Sequence, residues 1–241
     1  MAKNPGTSPA RRASDRGRYG RLSRERVLAT ALELVDREGL GALSMRRLGS
    51  ELGVEAMALY RYAEGKDALL EGLVEAMHLE LHGRLAAAQP DTGEAPDWRS
   101  ELHTFARTMY DVCLAHPHAV PLLTTRLLAV PMARRPLPVL RSHERVLALL
   151  ARAGLDEKTS AAAFQAFLAW VLGYVSVELR PMVDNPDEPD PAFRLGLHRL
   201  PQQDLPTLRR IAPALAERGG PQGLAAGLDA LLDRFTRPAS R

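Results

Sequence analysis

Only one of the 241 residues, Cys113, is a cysteine, which excludes an internal disulfide and points to a reducing compartment. Aromatic residues are scarce at 5%, and no stretch alternates Val, Ile, Thr and Tyr as a half-buried strand does. The N-terminus is basic but has no apolar run of the kind an export signal needs. There is no GxSxG elbow and no phosphate-binding P-loop, so common marks of serine hydrolases and nucleotide-dependent enzymes are missing. What is plentiful is alanine and leucine, within a chain that is 46% hydrophobic and 25% charged. That composition favours helices, and the length suffices for one sizeable core or two modest domains. The fold class read from it is all-α.

The formal net charge is +3 and is unevenly placed. Residues 1–24 hold seven Lys or Arg against one Asp, and residues 1–70 hold thirteen against nine, leaving the remainder near neutral. Basic charge gathered at one end suits phosphate binding there. Residues 1–20 are rich in Arg, Ser, Gly, Ala and Pro, and are expected to form a disordered basic tail. Such a tail is either simply solvated or an arm that touches DNA.

From Ser44 to Lys66 the chain reads helix, tight turn, helix. Ser44 is an N-cap, Met45, Leu48 and Leu52 recur at helical spacing, and Gly53 breaks the run where positive φ is needed. Val54 opens the next packed segment, and Leu59 can fold back onto the first helix. The second, short helix carries Ala56, Met57, Ala58, Tyr60, Arg61 and Tyr62. Before it, a helix capped by Ser23 carries Val27, Ala31, Leu34 and Val35 on one face and stops at Gly39. This is the layout of a helix-turn-helix, whose second helix can lie in a DNA major groove.

The same residues carry a resemblance. The helix from Arg26 to Glu38, the capped helix from Ser44 to Leu52 with Gly53 and Val54, the Leu59-Tyr60 pair, and Lys66, Asp67, Leu69 and Leu70 follow one another in a known order. In identity and spacing this segment resembles the DNA-binding domain of the TetR (tetracycline-repressor-like) family of transcriptional regulators. The resemblance implies that Arg46 reaches the DNA, that the Tyr60 hydroxyl bonds a phosphate, and that Lys66 contacts phosphate at the start of a fourth helix. Tyr62 stands where relatives carry His or another aromatic, and is read as a DNA contact or a core residue. The chain departs from the family at Glu55, Ala56, Met57 and Ala58, where relatives often place Ser, Thr, Gly or Gln. Ala56, Met57 and Ala58 can pack on thymine methyls but offer the bases almost no hydrogen bonds, which moves readout toward Arg46 and DNA shape. Arg47 and Arg61 are expected on backbone phosphates.

Beyond the head, helices are read at about residues 66–88, 98–115, 119–128, 139–153, 156–179, 204–218 and 221–235, with 181–206 a long proline-rich loop. The chain thus divides into a tail (1–20), a helix-turn-helix DNA-binding domain (21–66) and a larger helical bundle for ligand binding and dimerisation (67–238). Thr159 to Val177 is nineteen residues without a charge, near the length of a membrane span. Its Thr, Ser, Gln and many Ala residues, without an interfacial basic cluster, favour a bundle core, and no membrane partner is expected. Phe164, Leu168, Val171 and Val175 form one stripe of that helix; Leu224, Leu228, Leu231 and Leu232 form a stripe near the C-terminus. Two such helices per subunit can build a four-helix dimer interface. These segments, with Leu172-Gly173-Tyr174 and Gly227 to Leu232, resemble the C-terminal domain of the tetracycline-repressor branch, in which they form the homodimer.

The resemblance also implies a small-molecule ligand, inducer or co-repressor. Candidates to line its cavity are His103, Met109, Tyr110, His116, Arg126, Gln165, Trp170 and Tyr174. His78 and His82, four apart on one helix, and His116 with His118 lack further ligands nearby, so no metal and no cofactor is assigned; the tetracycline repressor's magnesium is not carried over. His116-Pro117-His118 flanks a helix end, where His often caps carbonyls. Cys113 and His116 open a thiol-enzyme reading, but no Gly-rich turn supplies oxyanion donors, and a buried structural cysteine is the plainer account. No catalytic residue is assigned. The expected function is a cytoplasmic homodimeric repressor, released from a palindromic site in double-stranded DNA by a small molecule. The alternatives are a co-repressor-dependent regulator or activator and, from another class, a helical small-molecule-binding or thiol-dependent enzyme.

Overall fold

The computed structural model describes residues 22–88, 97–126, 129–184, 187–199, 201 and 204–236, with helices and turns and no strand among them. The basic tail lies outside the described residues, as does all but the last residue of the 89–97 loop. Local signals place the first elements. Helix α1 (Arg24–Glu38) begins at Ser23, whose Oγ accepts the Arg26 N–H at 3.2 Å, and ends at Gly39, whose φ is +79°. A 3-10 turn at Leu40–Ala42 leads to α2 (Met45–Leu52) and α3 (Ala56–Leu59). Then come α4 (Lys66–Ala87), α5 (Trp98–Ala115) and α6 (Val120–Thr125), followed by α7 (Leu137–Arg152) and α8 (Glu157–Asp184). The chain closes with α9 (Pro191–Arg194), α10 (Pro206–Ala216) and α11 (Gly220–Thr236).

The helices read at 119–128 and 204–218 are shorter, Val120–Thr125 and Pro206–Ala216, and two further boundaries differ at prolines. Helix α7 starts before Pro138, because a first-turn residue needs no N–H donor and proline's fixed φ suits it there. Helix α8 continues through Pro181 to Asp184, and α9 and a 3-10 turn at Leu197–Arg199 occupy part of the stretch read as loop. Proline forfeits only the bond to the carbonyl four residues back, and the helix ends one turn later.

One hydrophobic core runs from Val27 on α1 to Leu232 on α11 without a gap between head and body. Helix α4 is its spine: Leu69, Leu73, Met77, Leu81 and Leu85 are buried, and the helix packs on α1 in the head and on α5, α6 and α7 in the body. Burying each such side chain contributes about 1.5–3 kcal/mol. The long helix α8 is wrapped by α5, α7 and α11. It is the one helix among those described that is long and apolar enough to cross a membrane, and here it is a bundle core.

The two stripes expected at a dimer interface face inward instead. Phe164, Val171, Val175, Leu224, Leu228 and Leu232 are buried within the single chain, and Leu168 and Leu231 are half-buried against the same core. The physical reason is that α8 and α11 pack on one another with these residues between them and α5. On α8 the exposed residues Ala161, Gln165, Ala169, Gly173 and Val177 recur four apart; on α11 the exposed residues in the same register are Gln222, Ala226, Ala230 and Arg234.

An ionic clamp ties the head to the body. His116, at the end of α5, points Nδ1 at Asp36 Oδ2 of α1 and Nε2 at Glu80 Oε2 of α4, each at 2.7 Å. Carboxylates only accept, so both ring nitrogens must carry protons and the ring is an imidazolium. Arg84 pairs with the other oxygen of Glu80, and His118 Nδ1 donates to the Asp36 carbonyl at 3.1 Å, in the last turn of α1. Burial opposes the charge on His116, but the hydrogen bonds it donates to Asp36 and Glu80 outweigh it and its pKa is raised above the usual 6.5. A raised pKa contributes stability that is complete below the unfolded value and lost as pH climbs through the folded one. His116→Gln should therefore destabilise the protein by about 1–3 kcal/mol near pH 6, with the deficit shrinking as pH rises past neutrality. Urea unfolding of both proteins from about pH 5.5 to 8.5 checks this; a constant deficit would show that the clamp is not ionic.

Candidate nucleic-acid interface and effector cavity

The helix-turn-helix is built from caps and one close approach. Ser44 Oγ accepts the Arg47 N–H at 3.1 Å and starts α2; Gly53 ends it in the left-handed region at φ +68°. The turn closes through Val54 N–H to the Gly49 carbonyl at 2.9 Å. A Cβ on Gly49 would stand 2.9 Å from the Val54 carbonyl oxygen and 3.2 Å from the Ala56 nitrogen, both backbone, so this crossing requires glycine. Leu48 and Leu59, fully buried in the common core, help fasten α2 to α1 and α3 to α2.

That anchoring turns one surface outward. Met57 is 74% exposed and Tyr60 46%, Arg46, Arg61 and Lys66 are exposed, and Ala56 and Ala58 are half-exposed beside them. Arg61 lies over the Tyr62 ring, 5.2 Å from its centroid. Two of the residues expected on DNA are engaged elsewhere. Arg47 is held by Glu38 and Glu51 in an ion network that Arg37 joins, and Tyr62 donates its hydroxyl to the Leu22 carbonyl at 2.7 Å. Arg47 thus secures α2 to the end of α1, and Tyr62 packs against the core and secures the entry to α1.

In the body a narrow cavity lies between four helices, with about 20 Å³ of free volume at its centre, so that a larger guest must part the helices to enter. His78 comes from α4, Phe105 and Met109 from α5, Ser142, His143 and Val146 from α7, and Phe164, Phe167, Leu168, Val171 and Leu172 from α8. His78 and His143 are 3% and 6% exposed. Burial pushes the His78 imidazole down to about 3 and the His143 imidazole down to about 4, so both are neutral at physiological pH. His78 Nδ1 and His82 Nε2 meet Ser142 Oγ at 2.8 and 2.9 Å, while His78 Nε2 and both nitrogens of His143 are buried with no partner among the described residues. Unmet buried polar groups of this kind call for a partner, an ordered water or a ligand.

Of the residues expected to line a ligand site, Met109 does so. Arg126 lines a separate small recess with Arg134 and Arg135, and pairs with Asp67 at 2.7 Å. Gln165 lies on the outer face of α8. His116 sits in the clamp with Asp36 and Glu80, and the others hold α5, α8 and the α11 end of the chain together. His103 bonds Asp229 at 2.9 Å, Tyr110 accepts from Arg218 at 3.3 Å, Trp170 donates to the Leu224 carbonyl at 3.0 Å, and Tyr174 donates to the Gly220 carbonyl at 2.7 Å. Sequence reading missed Ser142 and His143 and weighed His78 only as a metal ligand. Its nearest signal was the His78–His82 spacing on an otherwise apolar helix. Among the described residues no group of three or more His, Cys, Asp or Glu is placed to hold a metal ion.

Residues 27–73 match the family model for bacterial regulatory proteins of the tetR family, and residues 89–233 match that for the tetracyclin repressor-like C-terminal domain. The chain belongs to the TetR family. An HTH-type transcriptional regulator of Saccharopolyspora erythraea is 34% identical over 194 residues, 80% of this chain and 76% of that protein. A possible TetR family regulator from Streptomyces coelicolor superposes with a TM-score of 0.71 at 26% identity, over 89% of this chain and 100% of that one. A TetR variant from Acinetobacter baumannii, solved with minocycline, gives 0.59 at 25% identity, over 91% and 98%. As a TetR-family member this chain is a DNA-binding transcriptional regulator. The thiol chemistry weighed for Cys113 finds no support in this TetR fold: the residue is fully buried, burial pushes its thiol up to about 12, and His116 is bound to two carboxylates.

The Gly49 crossing is open to a direct test. Gly49→Ala should lower stability by about 1–3 kcal/mol, because the obstructing atoms are backbone and cannot swing away. A denaturation midpoint equal to that of the parent protein would show that the turn yields.

Proposed function

We propose that the protein is a cytoplasmic homodimeric repressor that leaves a palindromic operator when a small molecule enters the cavity beside His78. Residues 21–66 act as the DNA-binding unit and residues 67–238 as the unit for ligand binding and dimerisation. The observation that carries this reading is the single helix α4. It begins at Lys66 beside the exposed face of the helix-turn-helix and presents His78 to the cavity twelve residues later, about 18 Å along one rigid rod. A ligand that parts α4 from α8 tilts the rod and shifts the heads. It can do so only by its affinity difference between the two arrangements.

On the DNA side, Arg46 reads the groove, Ala56, Met57 and Ala58 pack against it, and Tyr60, Arg61 and Lys66 hold phosphates. The N-terminus of α4 adds its partial positive charge at Lys66. The outward strips of α8 and α11, small and nearly uncharged, let a second copy approach closely, and two heads then read half-sites one DNA turn or a multiple apart. That the Acinetobacter relative was solved in complex with minocycline supports a small-molecule ligand for this chain.

Binding-site selection with the purified protein should yield an imperfect palindrome. Arg46→Ala should weaken binding and relax preference, while Tyr60→Phe should weaken it about three- to tenfold on every sequence, as loss of one phosphate contact does. Unchanged affinity in both variants would remove the helix-turn-helix from the interface. Separately, Gly173→Glu should convert the dimer to monomer in sedimentation analysis, since it places charges face to face across the small-residue strip. A dimer that persists would locate the subunit contact elsewhere.

A further inference from the structure

We propose that the molecule accepted by the cavity is uncharged, with an apolar ring frame that carries a hydroxyl group, and that His78 and His143 read that hydroxyl. This rests on the cavity being the effector site.

The walls set the frame. Apart from His78, Ser142 and His143 they are hydrocarbon or thioether, with Phe105 and Phe167 6.0 Å apart and tilted by 58°. Flat rings suit such walls through offset and edge contacts. Among the described residues no Lys, Arg, Asp or Glu lines the cavity. The charged groups that bear on it stand behind the lining: Arg135 acts on His143, and Arg141 and Arg145 act on His82. A carboxylate or ammonium on the ligand would be buried without a direct ion partner, which costs several kcal/mol.

Proton counting sets the polar group. A neutral imidazole carries one N–H and one bare nitrogen, so His143 offers an unmet donor and an unmet acceptor at once. Ser142 has one hydroxyl proton and three neighbours: His78 Nδ1 at 2.8 Å, His82 Nε2 at 2.9 Å and the Pro138 carbonyl at 3.2 Å. If the proton goes to Pro138 or to His82, His78 Nδ1 donates to Ser142 and His78 Nε2 is a bare acceptor. If it goes to His78, Nε2 carries the proton and is a donor. A hydroxyl meets either state, whereas a carbonyl or ether meets only the second. Leaving these nitrogens unmet weakens the empty protein, as expected where polar groups are kept for a ligand rather than for the fold.

The test uses three probes of one size, 2-naphthol, naphthalene and 2-naphthoate, titrated calorimetrically into the full chain at pH 7. Two buffers of different ionisation enthalpy reveal any proton uptake. 2-Naphthol should bind about tenfold or more tighter than the other two, without net proton uptake, because the hydroxyl adds at least one buried hydrogen bond. In His143→Leu and His78→Leu the advantage over naphthalene should fall, and His143→Gln should restore part of it. His143→Leu should also raise the unfolding midpoint of the empty protein, whereas a purely structural histidine would lower it. Tighter binding of 2-naphthoate with proton uptake would overturn the neutral-ligand assignment, as would a naphthol advantage that survives both leucine variants. If no probe binds, or if Val171→Trp leaves naphthol binding intact, the effector-cavity reading itself falls and this proposal with it.

Discussion

The apolar stripe of α4 is the constraint on which the rest depends. Leu69, Leu73, Met77, Leu81 and Leu85 recur every four residues, so one helix is committed at once to the head and to the body. Because the stripe is buried along its whole length, α4 cannot slide without exposing leucine to water on one side or the other. It can only tilt. That restriction makes a contact at His78 meaningful at Lys66, and the Asp36–His116–Glu80 clamp, together with the Arg24–Glu75 pair at 2.6 Å, fixes where the tilt must be taken up.

Charge placement follows the same division. Within the head, Arg24, Arg37 and Arg47 each meet a carboxylate and hold helices in place, while Arg46, Arg61 and Lys66 remain on the exposed face. In the body, Arg99 of α5 binds Asp229 and Asp233 of α11, and Glu101 of α5 is bound by Arg145 and Arg152 of α7. Partly exposed pairs like these add little stability each, but they fix which helix lies beside which.

How much was legible in the sequence depended on how local the cause was. Ser23, Gly39, Ser44 and Gly53 act within one turn of themselves, and the helix ends they announce are found where they stand. Trp98 to Ala115 was readable from Pro117, which stops it, and the structure adds Asp97 as its cap. What failed was long-range. Helix α8 is apolar on every side, so nothing in its own sequence says which stripe faces the core, and the bulkier one, Phe164 to Val175, was assigned outward when it packs inward. Arg47 could not be told from Arg46 until Glu38 was brought beside it by the chain's reversal. His143 carries no local mark at all: its meaning comes from a cavity assembled by four helices.

The unbroken core between Val27 and Leu232 bears on modularity. Helix-turn-helix heads invite exchange between regulators, as if they were cassettes. Here Leu28 meets α4 so closely that a Cβ on Gly72 would stand 2.3 Å from its Cδ2. A graft cut at Gly65 would therefore bring a foreign α1 onto a surface shaped for this one. The natural seam lies further along, beyond the turns of α4 that α1 covers, and recombination that respects it moves the head together with the upper part of its lever.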